Sequence, residues 1–447
     1  MEIFPFRGVT YNQEKIGDLN QVVTQPYDKI DKSMQQAYHG RSDYNIVRII
    51  LGQEETGDTE QHNKYTRAAD YFNSWLQEGI LHQSDTPGIY AYHQTYQLAD
   101  GVSGVRKSFV ALGKLRDYSE GGIKPHENTL AGPKADRLNL MRATRANFGQ
   151  IFMLYSDPEY EIEKILAPYV AKSADMNARA EYDVSHRMWF ITDEEAIRKV
   201  REIMSGKEVF IADGHHRYET ALNFRNEIRA KRMKSEGNES VDNCMMTFIN
   251  IYDKALTILP THRAVFGVDR SKIDSMKREV GNHFTIDEFK FSNDGEETRA
   301  RKEFLRAMAE KGKHAHCFGL YIHGENSYRL LTLKDTAVLE KFDEGGHSQA
   351  YRELDVSILH SVLLRHFLGI DAKALAEERN VRYEKEAEEA IRKVKAGDFQ
   401  MIFLVNPTRV EQVEKVAMRG ERMAQKSTDF FPKLITGMVM NKLSIAD

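Results

Sequence analysis

Cysteine is nearly absent from this chain of 447 residues, which has only Cys244 and Cys317. Two thiols exclude a disulfide framework, and a cysteine-based zinc site needs more of them. Scarce cysteine also fits a reducing compartment. The first residues, MEIFPFRGVTYNQEK, lack the basic and apolar regions of a signal peptide, and no apolar run is long enough to span a bilayer. We therefore expect a cytoplasmic protein with no membrane partner.

An excess of charge of one sign is also missing. Lys and Arg together number 63 and Asp and Glu 67, which gives a formal net charge of −4. A nearly neutral chain has no general attraction for nucleic acid, so we expect no nucleic-acid partner, and any anion site must be local. The GxxxxGK[ST] loop and the protein-kinase motif set are absent too, which excludes a P-loop NTPase and a protein kinase.

The remaining composition is that of a globular protein, with 41% hydrophobic and 29% charged residues. The length predicts two or three domains. Past about residue 267 the charge density rises and helices alternate with strands. We therefore predict an N-terminal domain over 1–266 and a C-terminal α+β domain over 267–447, with a tail that can close on the functional site.

The N-terminal part has the pattern of an α/β core. Apolar runs predict strands over 187–192 and 208–212, with a helix over 193–204 between them. A glycine turn then leads to a further helix over 218–230. Strand, helix, strand, turn and helix in this order are typical of α/β proteins.

Four earlier segments also have predicted structures. Alternating residues over 89–97 and 105–115 predict two paired strands across the Asp100-Gly101 turn. The segment 41–51 ends in a strand-like apolar run, and 134–148 reads as a helix entered through a proline.

The most informative segment is the loop Asp213-Gly214-His215-His216-Arg217. Gly214 permits a sharp turn after the strand. The start of the following helix offers backbone amides and a partial positive charge, which suit a phosphate. His215, His216 and Arg217 add donors at the same end, and Arg217 can grip phosphate oxygens as a fork. These residues predict a phosphate or nucleotide site.

Asp213 is the odd member of this loop. A carboxylate repels a phosphate unless it holds Mg²⁺ or takes a proton from an attacking hydroxyl, and both roles belong to phosphoryl transfer. We therefore predict that Asp213 is a catalytic residue or a Mg²⁺ ligand. The alternative is that Asp213 caps the helix and the basic residues form a solvated helix end. Zinc binding by His215 and His216 is disfavoured, because adjacent helical residues diverge by about 100°.

Three more residues are candidates for the same site. Asp28 would be a second Mg²⁺ ligand or base, or else part of a simple turn. Lys134 and Arg137 share one face of their predicted helix with Arg145. They would line a phosphate groove, or else form a solvated face.

Weaker candidates lie further along the chain. His126 and Glu127 form a possible acid/base pair, or a surface pair. His262 and Arg263 follow a strand-like run and would supply further phosphate contacts. The tail segment Lys426-Ser427-Thr428 would close over a bound nucleotide, or dock between domains.

The string Asp213-Gly214-His215-His216-Arg217-Tyr218, followed by Ala221, resembles the DGHTR-type and GERR-type signatures of the ParB/sulfiredoxin superfamily. That superfamily includes ParB-type CTP-binding proteins, sulfiredoxins and free-serine kinases. The resemblance implies a mixed α/β (α+β) fold with a ParB/sulfiredoxin-like nucleotide-binding core. A sulfiredoxin role is disfavoured, because its chemistry needs a cysteine in the loop.

Over nearly the whole chain, the sequence resembles an uncharacterised bacterial family, domain of unknown function 1015. The matching pieces occur in order, and they are Pro26-Tyr27-Asp28, Asn45 with Arg48, His126-Glu127 with Thr129, Pro133-Lys134 with Asp136-Arg137-Leu138, the Asp213 loop, Leu259-Pro260-Thr261-His262-Arg263, and Lys426-Ser427-Thr428 with Phe431-Pro432-Lys433. Ala424 departs from the family pattern, which has Pro before Gln425-Lys426. The family name carries no function.

These observations predict a phosphotransferase that moves phosphate from ATP or ADP to a small hydroxylated metabolite, with free L-serine as the best single candidate. The resemblance implies that Asp213 deprotonates the acceptor hydroxyl, and Mg²⁺ would neutralise the polyphosphate. One alternative is a non-catalytic, ParB-like nucleotide-binding regulator. Another is a phosphatase that acts on a small phosphomonoester.

Overall fold

The structure is a computed structural model, and it describes residues 1–98, 101–126, 131–231, 240–424 and 426–445. The chain divides into two compact units. The first unit contains residues 1–125, 129–257 and 432–447, and the second contains residues 126–128 and 258–431. The fold is mixed α/β, with 41% helix and 26% strand, which confirms the predicted class.

The strands of the described residues are, in chain order, β1 Ile3–Phe4, β2 Val9–Tyr11, β3 Leu81–Gln83, β4 Ile89–Gln97, β5 Ser103–Lys114, β6 Ile123–Pro125, β7 Ala146–Asn147, β8 Ile151–Tyr155, β9 Met176–Ala180, β10 Val184–Ile191, β11 Val209–Asp213, β12 Asn243–Asn250, β13 Thr257–Leu259, β14 His262–Val265, β15 Phe284–Lys290, β16 Cys317–Ile322, β17 Ser327–Leu333, β18 Val381–Glu384, β19 Met401–Val405, β20 Asp429–Phe431 and β21 Asn441–Lys442.

The α-helices of the same residues are α1 Gln13–Ile16, α2 Lys32–Arg41, α3 Val47–Ile50, α4 Lys64–Gln77, α5 Ala131–Thr144, α6 Glu161–Val170, α7 Glu194–Met204, α8 His215–Lys231, α9 Arg270–Glu279, α10 Asp294–Lys311, α11 Gln349–Arg352, α12 Asp355–Ile358, α13 Ala372–Ala376, α14 Ala387–Ala396 and α15 Val410–Met418. The 3₁₀ turns are Leu19–Gln21, Tyr27–Lys29, Tyr118–Glu120, Glu181–Asp183, Ser240–Asp242, Val280–Asn282 and Thr336–Phe342, and a π-helix spans Leu359–Phe367.

The first unit is built on a mixed sheet in the order β6-β11-β8-β12-β5-β4-β10-β9, with β1 paired to β5. The strand β11 runs parallel to β6 and antiparallel to β8. Its residues Val209 and Ile211 are fully buried in the hydrophobic core. The core therefore fixes the strand whose last residue is Asp213.

The predicted hairpin is confirmed. The strands β4 and β5 pair antiparallel, with Ala91 opposite Phe109 and Tyr92 opposite Ser108. Asp100, which belongs to the predicted turn, lies outside the described residues.

The predicted order of strand, helix, strand and helix is also found, as β10, α7, β11 and α8. The helix α7 begins after Asp193, whose side chain accepts a hydrogen bond from the Ala196 amide at 2.8 Å. Such a cap satisfies an amide that the helix itself leaves unpaired. The helix α8 begins at His215, three residues earlier than predicted, so the basic residues of the loop lie inside its first turn.

One local prediction was wrong, and one predicted helix ends earlier than expected. The apolar run expected as a strand forms the short helix α3, Val47–Ile50, because a short apolar run does not distinguish a strand from a buried helical turn. The helix predicted over 134–148 is α5, which ends at Thr144. It ends there because Arg145 takes a left-handed backbone conformation, with φ of 49°.

The second unit has an antiparallel sheet in the order β15-β17-β16-β19-β14-β18. One face of this sheet packs against a cluster that includes Leu359, Val362 and Leu363 of the π-helix. The other face packs against a cluster that includes Phe304 of α10 and Ile391 of α14. The sheet is therefore covered by helices on both sides.

Among the residues that the structure describes, no helix has the length and apolar character needed to cross a membrane.

Candidate functional site

The loop predicted from the sequence joins β11 to α8 in the first unit. Asp213 is the last residue of β11, Gly214 makes the turn with φ of +91°, and His215 is the first helical residue. The Tyr218 amide donates to the Gly214 carbonyl at 2.9 Å, which closes the first turn of the helix. The amides of a first helical turn find no acceptor within the helix, so this end of α8 attracts anions.

Arg217 folds back over the turn. A Cβ atom at Gly214 would lie 3.0–3.1 Å from the Arg217 guanidinium, and one at Gly149 would lie 3.3 Å from it. The Arg217 Nη1 donates to the Gln150 carbonyl, and its Nη2 lies 3.7 Å from the Asp213 carboxylate. Two features therefore require glycine at position 214, namely its left-handed backbone conformation and the Arg217 guanidinium that lies over it.

We predict that Gly214→Ala will destabilise the protein more than Gly206→Ala. Both glycines have φ near +90°, so each alanine should cost about 1–2 kcal/mol of left-handed strain. Gly206 has nothing within 4 Å of an added Cβ, whereas the added Cβ at Gly214 must displace Arg217. Urea denaturation of both variants measures the difference. Equal losses of stability would show that Arg217 is not held over the turn.

The Asp213 carboxylate lies among positive charges. It accepts hydrogen bonds from the Gly214 amide at 2.7 Å and from the Lys433 ammonium at 3.1 Å. Burial alone would raise the pKa of Asp213, but the charges of Lys433, Arg217 and Lys29 hold that pKa well below its usual range. Asp213 is therefore a carboxylate at neutral pH. Because Gly214 directly precedes the first helical residue, Gly214 has the N-cap position, and Asp213 lies one residue before it.

Lys433 is set in place by a buried polar cluster. Its backbone carbonyl accepts from the Gln94 side chain at 2.8 Å, and the neighbouring Pro432 carbonyl accepts from Arg106 at 2.5 Å. Arg106 has no exposed surface, and its guanidinium also donates to the Gln94 side chain. Burial, together with the Arg106 charge, lowers the pKa of His186 to about 3. This cluster fixes the backbone that presents the Lys433 ammonium to Asp213.

A second group of predicted residues lies beside the loop. Burial raises the pKa of Tyr27 to about 12, and the nearby charges of Asp28, Arg137 and Arg217 also act on that hydroxyl. Burial lowers the pKa of His216, and the nearby charge of Asp28 acts on the same pKa by raising it. The Tyr27–Lys29 turn, the helix α5 and the Asp213 loop are therefore neighbours in the first unit.

The two cations predicted on α5 already have partners. Lys134 forms an ion pair with Glu219 of α8. Arg137 stacks on Tyr27 with its guanidinium 4.0 Å from the ring centroid, and it donates to the Asp136 carboxylate and to a backbone carbonyl. Its donors are thus engaged within the protein. Lys134 has the more adaptable position, since its side chain is 27% exposed.

The remaining predicted residues belong to the second unit. His126 is fully buried, and its Nε2 lies 2.9 Å from the Thr428 hydroxyl, whereas Glu127 lies outside the described residues. The Nδ1 of His262, whose pKa burial lowers to about 3, accepts from a strand amide. Arg263 is fully buried.

The tail segment also belongs to the second unit. The Lys426 carbonyl accepts from Arg263 at 3.0 Å, and the Ser427 hydroxyl donates to the Ala424 carbonyl at 2.6 Å. These contacts give Arg263 and Ser427 structural partners, and a role for the tail segment in ligand binding stays a prediction.

Lys433 was missing from the predicted site residues. It is separated from Asp213 by 220 positions, and no local pattern connects the two. Two features of the sequence pointed to Lys433, namely the basic tail segment in which it lies and the match of Phe431-Pro432-Lys433 to the family pattern.

The described residues contain no group of three or more His, Cys, Asp or Glu that could hold a metal ion by themselves. In proteins, Mg²⁺ is commonly held by one or two carboxylates together with substrate phosphates. Asp213 and the exposed Asp28 are the two carboxylates that the sequence predicts as Mg²⁺ ligands.

The family predicted from the sequence is confirmed. A family model described as a protein of unknown function, DUF1015, matches residues 3–357. The chain belongs to this family. A search of curated proteins finds no match.

Three solved structures are similar to the chain at low identity. A conserved hypothetical protein from Pyrococcus furiosus is 13% identical, with 70% of this chain and 89% of that chain covered and a TM-score of 0.32. A free serine kinase in complex with AMP is 12% identical, with 69% and 83% covered and a TM-score of 0.34. SbnI with a C-terminal truncation, from Staphylococcus aureus, is 11% identical, with 73% and 85% covered and a TM-score of 0.32.

Proposed function

We propose that the first unit binds the phosphates of ATP or ADP at the Gly214 loop and transfers a phosphoryl group to a small hydroxylated metabolite. The observation that carries the proposal is the ionised Asp213 carboxylate, held between Lys433 and Arg217 at the start of α8. A carboxylate, several cations and a helix N-terminus are the parts that phosphoryl transfer uses.

The phosphate would bind at the amino end of α8. The helix dipole and the first-turn amides attract its charge, and Arg217 and Lys433 lie on either side of Asp213. His216 is half-buried beside the exposed Asp28, so the loop is open to solvent on that side. Lys134 would add a further cation if it exchanged Glu219 for the ligand.

Asp213 would accept the proton of the acceptor hydroxyl as the acceptor oxygen attacks the terminal phosphorus of the nucleotide. The bond from that phosphorus to the bridging oxygen would break, and ADP would leave from ATP, or AMP from ADP. In the free protein its neighbouring cations make it a weak base. A bound phosphate would share the charges of Lys433 and Arg217, and this sharing raises the basicity of Asp213 when the substrate is present. Mg²⁺, held by Asp213 or Asp28 together with the nucleotide, would neutralise the polyphosphate charge.

The acceptor is inferred from the resemblance of the loop sequence. Among the families with this signature, the free-serine kinases resemble it most closely, with Asp before Gly-His, as in Asp213-Gly214-His215. Free L-serine is therefore the first acceptor to test, alongside other small hydroxylated metabolites.

We predict that Arg217→Ala will weaken nucleotide binding on the order of 100-fold. Two lost charge-assisted hydrogen bonds to phosphate are worth about 3 kcal/mol in total. Titration calorimetry with ATP and ADP measures the effect, with the exposed Arg198→Ala of α7 as the matched control. Unchanged affinity in a folded Arg217→Ala protein would exclude a phosphate site at this loop.

A further inference from the structure

A cavity lies within the second unit, and its lining residues have no role in the proposed phosphate site. Its volume is about 340 Å³, at the lower end of the range for small-molecule sites. Three aromatic rings line it, those of Phe342, Tyr351 and Tyr383, together with Leu339 and Leu375. Such walls suit a flat apolar body, because ring faces stack on planar groups.

The π-helix Leu359–Phe367 forms part of the cavity wall. It contributes both His360 and Arg365, which are five positions apart. In an α-helix, residues five apart point about 140° away from each other. The i→i+5 hydrogen bonding of a π-helix brings such residues onto one side, and π-helical segments are rare and frequent at functional sites. The irregular helix thus places two polar side chains on one cavity.

His360 presents a hydrogen-bond donor. Its Nε2 accepts from the Arg263 Nε at 3.2 Å. Burial, together with the Arg263 charge, holds the pKa of His360 well below its ordinary value, so the ring is neutral and its proton is on Nδ1. Within the described part of the chain, no hydrogen-bond partner is found for Nδ1.

The fixed charges of the cavity favour a single negative charge on a ligand. The Asp343 carboxylate forms hydrogen bonds with the His347 ring and accepts from backbone amides. The Glu344 carboxylate forms an ion pair with the Arg365 guanidinium at 2.8 Å. Arg352 donates to the His347 carbonyl and lies 3.9 Å from Asp343. The acidic residues are therefore already compensated. The buried Arg263 behind His360 adds positive potential without lining the cavity.

We propose that this cavity binds a small planar molecule that carries one carboxylate. The aromatic and leucine side chains enclose the body of the ligand. The carboxylate accepts from the His360 Nδ1–H and faces Arg352 and Arg365. A phosphate dianion fits less well, because both arginines already share their charge with acidic or carbonyl groups of the protein.

The test uses the full chain and titration calorimetry. The probes are indole-3-carboxylate and the neutral indole-3-carboxamide, which have the same ring system. Ala376 lines the cavity and is exposed on the short helix α13, so Ala376→Trp fills the entrance without altering a core. Ala372→Trp is a second variant of the same kind, and the exposed Ala396→Trp on α14 is the matched control.

We expect the wild type to bind the carboxylate with a dissociation constant on the order of 0.1 mM, and the carboxamide at least about 10-fold more weakly. Correctly folded Ala376→Trp and Ala372→Trp should each lose at least about 10-fold in carboxylate affinity, whereas Ala396→Trp should bind like the wild type. The proposal is overturned if the wild type does not bind the carboxylate saturably, if the two probes bind equally, or if a folded Ala376→Trp or Ala372→Trp binds as the wild type does.

Discussion

Asp213→Asn is expected to reduce phosphoryl transfer by about 100-fold or more, the usual size of a lost general base. Asparagine cannot accept the hydroxyl proton at neutral pH, and it lacks the charge that attracts Mg²⁺. The same change should also destabilise the first unit, because it leaves the Lys433 ammonium without its carboxylate. The Lys433 side chain is only 11% exposed and that of Asp213 21% exposed. Removing one partner of such a pair should cost about 2–3 kcal/mol, somewhat less than for a fully buried pair.

A double-mutant cycle separates these two effects. Lys433→Met and Asp213→Asn should each lower the free energy of unfolding, and the double variant should recover about 1–2 kcal/mol of the summed loss. Turnover should not recover in the double variant, because it lacks the carboxylate. A double variant that regains both stability and turnover would make Asp213 a structural partner of Lys433 only.

Acidification is expected to destabilise the protein through His186. This histidine is 1% exposed, and its pKa in the folded protein is about 3, against about 6.5 in the unfolded chain. Between these values the unfolded chain binds a proton that the folded protein does not, so stability falls as the pH falls from 6.5 towards 3. One such group contributes about 1.4 kcal/mol per pH unit, or about 2 kcal/mol between pH 6.5 and 5.

His186→Asn isolates this contribution. The Nδ1 of His186 lies 2.7 Å from the Tyr92 hydroxyl, and the asparagine side-chain oxygen can replace that acceptor. Urea denaturation at pH 7.5, 6.5, 5.5 and 5 should give a pH slope that is smaller by about one proton than in the wild type. The buried His262 and the half-buried His93, whose pKa values burial also lowers, leave a residual slope in both proteins. The exchange of the exposed His62→Asn is the control. An unchanged slope in His186→Asn would contradict a buried neutral imidazole.

The parts of the fold that could be predicted depend on local pattern. Buried runs such as Val209–Asp213 and the Asp193 cap determine β11 and α7 by themselves, and Gly214 with the basic residues after it indicates the turn. The helix at Val47–Ile50 could not be predicted, because its four residues have no distinguishing period. The π-helix could not be predicted either, because its spacing overlaps with that of an ordinary apolar helix.

The same dependence on local pattern applies to the candidate site. The five residues of the Asp213 loop are contiguous in sequence, so the sequence alone indicates a phosphate site there. The Lys433 contact depends on tertiary structure, since Gln94 and Arg106 from two strands hold the backbone that carries it. Arg137 shows the reverse case, because its partners within the protein are not visible in the sequence. Its charge suggested phosphate binding, which stays a prediction, and the structure shows that its guanidinium donates to Asp136 and to a backbone carbonyl.

Product analysis of the wild-type protein tests the proposed phosphoryl transfer most directly. The purified full chain is incubated with Mg²⁺, ATP or ADP, and L-serine or another hydroxylated metabolite, and the phosphorus-containing products are identified by ³¹P NMR. We predict a new phosphomonoester of one acceptor, formed in equal amount to the nucleotide product and absent with Asp213→Asn. If no acceptor in the panel is phosphorylated, and the protein instead releases inorganic phosphate from phosphomonoesters or binds nucleotide without turnover, the proposed phosphotransferase activity is contradicted.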